Sequence, residues 1–117
     1  MNNYIIVRPE HLNQNGHLFG GQMLLWIDEF CWIAAAIDFP NKKLVTRAMG
    51  ETSFKRGIPD GSILRFHTHQ ESMGNTSVTY KCDVYIVDSR EENKAPVFST
   101  TITFTAVGED GKKTSIR

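Results

Sequence analysis

The sequence predicts an α+β protein, with one helix set against one antiparallel sheet of about five strands. Three observations carry that reading. Residues 22–37 are rich in Leu, Met, Ala and Trp, lack Pro and Gly, and form a run too long for an ordinary strand. After Pro40 apolar residues recur at every second position, most cleanly from Val78 onward. In those stretches only one face is apolar, the pattern of an antiparallel sheet covered on one side.

Residues 4–7 form a short β-type run, ended by Arg8-Pro9. Residues 10–21 mix Asn, Gly and His and close on Gly20-Gly21, so they read as an irregular loop. The helix over 22–37 is ended by Asp38-Phe39-Pro40-Asn41. Because it is apolar nearly all round, it must be buried on most sides. A curved sheet wrapping it would achieve this.

Residues 44–54 are extended and lead to a turn at 56–61. A strand over 63–71 follows, with a turn at Met73-Gly74-Asn75. From Val78 the chain puts Val78, Tyr80, Cys82, Val84 and Ile86 on one face and Thr79, Lys81 and Asp83 on the other. Residues 88–95 read as a polar loop. The last strand puts Phe98, Ile102, Phe104 and Ala106 on one face and Ser99, Thr101, Thr103 and Thr105 on the other.

A chain of 117 residues suits one domain over 1–117. At that size the surface-to-volume ratio makes self-association favourable. The 13 basic and 13 acidic side chains cancel, so there is no electrostatic case for nucleic acid or for an anionic membrane surface. Cys31 and Cys82 lack metal-type or redox-type spacing and read as two reduced, packed thiols. Residues 4–7 are too short for a signal-peptide core, and the apolar run at 23–27 is too short to span a bilayer. A cytoplasmic location is the default expectation.

Asp28 is the leading candidate for chemistry. Its neighbours are Leu24, Leu25, Trp26, Ile27, Phe30, Cys31 and Trp32, and no lysine or arginine stands at helical spacing to pair with it. A buried, unpaired carboxylate is costly, so the residue needs a partner elsewhere or a function. The alternative is an Asp on a solvated stripe shared with Glu29. Gly20-Gly21 opens the helix, where the first N–H groups lack intrahelical acceptors and can hold an oxyanion. The alternative there is a flexible helix start.

Asn13, Asn15 and His17 lie in the preceding loop, as turn formers or, for His17, as a general base or a solvated side chain. His67 and His69 alternate along one strand without a third ligand, so no metal site is expected. Lys42, Lys43, Lys55 and Arg56 lie near strand ends, solvated or positioned for phosphate. Gly74-Asn75-Thr76-Ser77 is a plain hairpin or a resting place for a pyrophosphate.

The segment Asn13-x-Asn15-Gly16-x-Leu18-Phe19-Gly20-Gly21, followed seven residues later by Asp28, resembles the acyl-CoA thioesterases of the hotdog fold. The nearest subgroup is the bacterial YciA-type enzymes and the brain-type cytosolic acyl-CoA hydrolases. Val45-Thr46 with Thr52-Ser53-Phe54-Lys55-Arg56, the turn Gly74–Val78, and Phe104-Thr105-Ala106-Val107 with its tail are similar to later segments of that family, in the same order. Pro usually follows the arginine in the family, where this chain has Gly57. His17, Gln22 and Lys55 also depart from its usual residues.

The resemblance implies a hotdog fold, a curved sheet around one long central helix, and hydrolysis of acyl-CoA to free CoA and a carboxylic acid. Asp28 would orient or deprotonate the water, or attack the thioester itself. The Gly21 N–H would polarise the carbonyl, and Asn13 would be contributed across a dimer interface. Phe19, Gly20, Lys55, Arg56, Thr76 and Ser77 are the implied substrate-binding positions. No metal and no cofactor beyond the CoA of the substrate is implied, and the expected assembly is a homo-oligomer, a dimer or a hexameric trimer of dimers.

This chemistry needs an activated water, an oxyanion site and an apolar channel, for which Asp28, Gly20-Gly21 and the surroundings of Trp26 and Phe30 are the candidates. The alternatives are an enoyl-CoA hydratase, whose D-x-x-P-x-H-like stretch is missing here, and a non-catalytic acyl-CoA binding module.

Overall fold

A computed structural model describes residues 1–88 and 95–117. The elements are β1 (Asn2–Ile6), a short 3-10 turn (Pro9–His11), α1 (Gly20–Asp38), β2 (Lys43–Met49), β3 (Ile63–Met73), β4 (Ser77–Ile86) and β5 (Phe98–Val107). The polar loop expected over 88–95 falls almost wholly outside the described residues.

The five strands form one antiparallel sheet in the order β1-β3-β4-β5-β2. The helix packs against β2, β3, β4 and β5. Its inward stripe is Met23, Trp26, Ile27, Cys31, Ala34 and Ala35, all buried. These meet the alternate residues that face the same way from the sheet: Leu64 and Phe66 of β3, Val78, Tyr80, Cys82 and Val84 of β4, and Phe98, Ile102, Phe104 and Ala106 of β5. The face alternation read from β4 and β5 is the one observed, except that Thr105, read on the polar face, is buried like its neighbours Phe104 and Ala106. Ile116 in the tail adds to this core, and its N–H donates to the Asn75 carbonyl at 2.9 Å.

Cys31 and Cys82 are both buried free thiols. They meet where the helix crosses β4, and this contact, followed by burial, pushes the Cys82 thiol far above its ordinary range. At the far end of α1 the Tyr80 hydroxyl donates to Asp38 Oδ2. Burial and the Asp38 carboxylate together raise the Tyr80 phenol.

Several bounds differ from expectation: β1 is Asn2–Ile6 where 4–7 was expected, and β3 runs on to Met73. The helix begins at Gly20, with extended Phe19 as its N-cap at φ −66° and ψ 130°. The strand expected over 44–54 stops at Met49, after a last bond from the Gly50 N–H to the Thr101 carbonyl at 2.8 Å. Beyond it the chain leaves the sheet, and the Phe54 ring packs 4.8 Å from the Phe98 ring, centroid to centroid. That contact is tertiary and leaves no trace in local periodicity.

Candidate active site

The helix carries a second stripe besides its core stripe. Gly21, Leu24, Leu25, Asp28, Glu29 and Trp32 recur at helical spacing, and with Thr46 and Met49 of β2 they line an open groove of about 600 Å³. Leu25 is 55 % exposed and Trp32 45 % exposed. The helix is apolar nearly all round because it has two apolar stripes, and within one chain only one of them is covered. The channel expected from Trp26 and Phe30 is therefore corrected. Trp26 is 7 % exposed and sits edge-on to Phe66, while Phe30 packs on the same ring at 5.0 Å. Trp26 belongs to the core, and Phe30 is partly buried against it.

Asp28 stands half-buried in the middle of the groove. Its partner comes from another element: Thr46 on β2 donates its hydroxyl to Asp28 Oδ1 at 2.9 Å. One carboxylate oxygen is fixed by this bond, and the other has no hydrogen-bond donor among the described residues. In sequence, Thr46 stands only as part of the Val45-Thr46 motif. Its only early signal was a hydroxyl on the strand after a helix that lacks a partner for its carboxylate.

The loop before the helix is built by Asn13. Its Oδ1 accepts from the Asn15 N–H at 2.9 Å and from the His17 N–H at 3.2 Å. The Asn13 N–H donates to the His17 carbonyl at 2.7 Å, and Gly16 closes the turn at φ 79°. Leu12 then bridges Leu18, and the Phe19 N–H reaches the His11 carbonyl at 2.9 Å. This ties down the residue just before the two glycines. Those glycines are close-fitting: a Cβ on Gly20 would lie 3.0 Å from the Phe54 ring, and one on Gly21 2.6 Å from the Phe19 ring. The Gly20 and Gly21 amides have no acceptor among the described residues, as expected for the first turn.

The expected site residues fall into three groups. Asp28 and Gly21 share the groove. Asn13, Gly20 and Arg56 share a second pocket of about 350 Å³ with His17, Phe54 and Gly57. Exposed Phe19 and Lys55 stand next in sequence to that pocket's Gly20, Phe54 and Arg56. Gly20 and Gly21 thus stand between pocket and groove. Thr76 and Ser77 lie apart, in the β3–β4 hairpin closed by the Gly74 N–H to the Ser77 carbonyl at 2.8 Å. Ser77 pairs with Thr105, which pairs with Val45, whereas Arg56 lies beyond the Met49 end of β2. Val45 and Met49 are four residues apart on β2, roughly 13 Å at the ordinary strand rise. One chain alone does not unite the expected CoA contacts.

On the outer face of the sheet the His67 and His69 rings lie 5.6 Å apart, and His67 Nδ1 is 2.9 Å from Asn2 Oδ1. Among the described residues no group of three or more His, Cys, Asp or Glu is arranged to hold a metal. No helix among them is long and apolar enough to cross a membrane.

One long helix laid across a five-stranded antiparallel sheet of this order, with an acidic groove along the helix, has the architecture of hotdog-fold enzymes. Residues 15–93 match the thioesterase superfamily, and the chain belongs to that family. The hexameric hotdog-fold thioesterase of Campylobacter jejuni is 32 % identical, with a TM-score of 0.82 over 98 % of this chain and 88 % of that one. An uncharacterised acyl-CoA thioester hydrolase of Buchnera aphidicola is 27 % identical over 92 % of this chain and 81 % of its own length. The acyl-CoA hydrolase of Staphylococcus aureus, solved with butyryl-CoA, CoA and CoA disulfide, shares the fold at 23 % identity. Its TM-score is 0.87, over 98 % of this chain and 70 % of that one.

Proposed function

We propose that residues 1–117 form one hotdog domain that hydrolyses acyl-CoA to free CoA and a carboxylic acid in the cytoplasm. The observation that carries the mechanism is the half-buried Asp28, oriented by Thr46 in an otherwise largely apolar groove that also holds Gly21. The carboxylate takes a proton from water as the water oxygen bonds to the thioester carbon. The carbonyl oxygen gains the negative charge, and the Gly21 N–H donates to it. The carbon–sulfur bond then breaks, the sulfur leaves with the electron pair, and the thiolate takes up a proton.

The site is shared between copies in this reading. Asn13 lies in the pocket on the other side of the glycines, with Arg56 and next to Lys55 and Phe19. The exposed apolar groove stripe and the free edge of β2 offer a second copy the surface to bring Asn13 to Asp28. The same step would gather Arg56 and Lys55 with Thr76 and Ser77 around one CoA. A dimer, and a trimer of dimers built from it, follow as the assembly. The reaction uses water and the chain's own groups.

The test is incubation with a panel of acyl-CoAs and a thiol-reactive reporter. Release of free CoA supports the reading. Loss of enoyl-CoA without free thiol would identify a hydratase, and binding without turnover a binding module.

A further inference from the structure

The groove between α1 and β2 is unevenly lined. Leu24, Leu25, Trp32 and Met49 are apolar, Asp28 and Glu29 are acidic, and no lining residue is basic. Helix and strand run in opposite directions along it. Asp28 lies beside Thr46, and one turn further on Trp32 lies beside Leu44. The Trp32 Nε1–H donates to the Leu44 carbonyl at 3.3 Å, so the indole is tied from the helix to the strand and crosses that end of the groove.

This arrangement sets a length. One helical turn separates Asp28 from Trp32, about 6 Å along the axis. An extended hydrocarbon chain advances roughly 1.25 Å per carbon, from the bond length and angle of tetrahedral carbon. An acyl chain that runs from Asp28 along the helix toward Leu44 therefore meets the indole about one helical turn on. It also sets a charge rule. A short acyl group ending in a carboxylate would bring that anion against Glu29 and Asp28, with no cation of the same chain, among the described residues, lining the groove to offset them.

We propose that the groove is an acyl subsite selective for short, uncharged acyl groups, in which Trp32 limits chain length and Glu29 excludes acyl groups that end in a carboxylate. The inference rests on the thioesterase reading and deepens it. Both residues act on the choice of substrate, and neither takes part in bond breaking.

The experiment measures kcat/KM for butyryl-CoA, decanoyl-CoA and succinyl-CoA with the wild-type protein, Trp32→Ala and Glu29→Gln. Ratios between substrates are read within each preparation, so a partly unfolded variant still reports. Wild type should prefer butyryl-CoA to both others. Trp32→Ala should raise the decanoyl-to-butyryl ratio by about tenfold or more. Glu29→Gln should raise the succinyl-to-butyryl ratio by about tenfold and leave the decanoyl-to-butyryl ratio unchanged. Ratios that stay within about twofold of wild type in both variants would overturn the proposal, while hydrolysis itself would leave the thioesterase reading standing. A wild-type protein that releases CoA from no substrate would overturn the thioesterase reading and this inference with it.

Discussion

Thr46 and Asp28 come from different elements, an edge strand and the central helix, and are joined by a hydrogen bond of 2.9 Å from the threonine hydroxyl to the carboxylate. The bond fixes which carboxylate oxygen remains for water. Thr46→Val keeps the shape of the side chain and removes the donor. We expect kcat to fall about tenfold with KM little changed, from the value of a hydrogen bond to a charged group. Thr46→Ser should restore most of the rate. An unchanged kcat in Thr46→Val would remove Thr46 from the positioning of Asp28.

The separation of Asn13 from Asp28 into pocket and groove predicts complementation. Asp28→Ala and Asn13→Ala should each be nearly inactive alone. Co-expressed as mixed dimers they should recover on the order of a quarter of wild-type activity, because half of the dimers are mixed and each carries one intact site. Mixed oligomers that form and show no recovery would contradict a shared site.

Gly57 and His17 should be energetically coupled. A Cβ on Gly57 would lie 2.7 Å from His17 Cγ, so the imidazole occupies the space that a larger residue at 57 would need. Gly57→Ala should lower stability in a denaturant titration, and His17→Ala should relieve much of that loss. The expected coupling is about 0.5–1 kcal/mol. Additive effects would show that the ring yields freely.

His67 predicts a direction for the pH dependence of stability. Burial first, then the N-terminal ammonium, His69 and Arg65, lower its pKa from the ordinary 6.5, against an opposing effect of Asp83. The unfolded chain then takes up this proton at a higher pH than the native one. Its contribution is intact above the unfolded pKa and is lost as pH falls toward the lowered native value. The drop in melting temperature from about pH 7.5 to about pH 5 should therefore be smaller in His67→Gln. An equal drop in both proteins would exclude His67 as a contributor.

What was legible in the sequence was what local pattern encodes. The period-two faces of β4 and β5 and the long apolar run of α1 need no tertiary information to be read. The choice between stripes on α1 was not legible, because Trp26 and Trp32 are both large, apolar and on the same helix. Only packing against Phe66 shows that Trp26 is core and leaves Trp32 to the groove. Asp28 and the glycine pair stand out as local oddities, and Gly21 and Asp28 line one groove, two helical turns apart on α1. The Thr46 partner, the Phe54 ring over Gly20 and the burial of Ile116 depend on contacts distant in sequence and had no local signature.

The most direct measurement is the hydrolysis of butyryl-CoA by Asp28→Ala, followed by thiol release, beside calorimetric binding of the same substrate. The account predicts a loss of about 10²–10⁴-fold in kcat with binding retained, the range for removal of a general base. Hydrolysis at the wild-type rate by that variant would contradict the account.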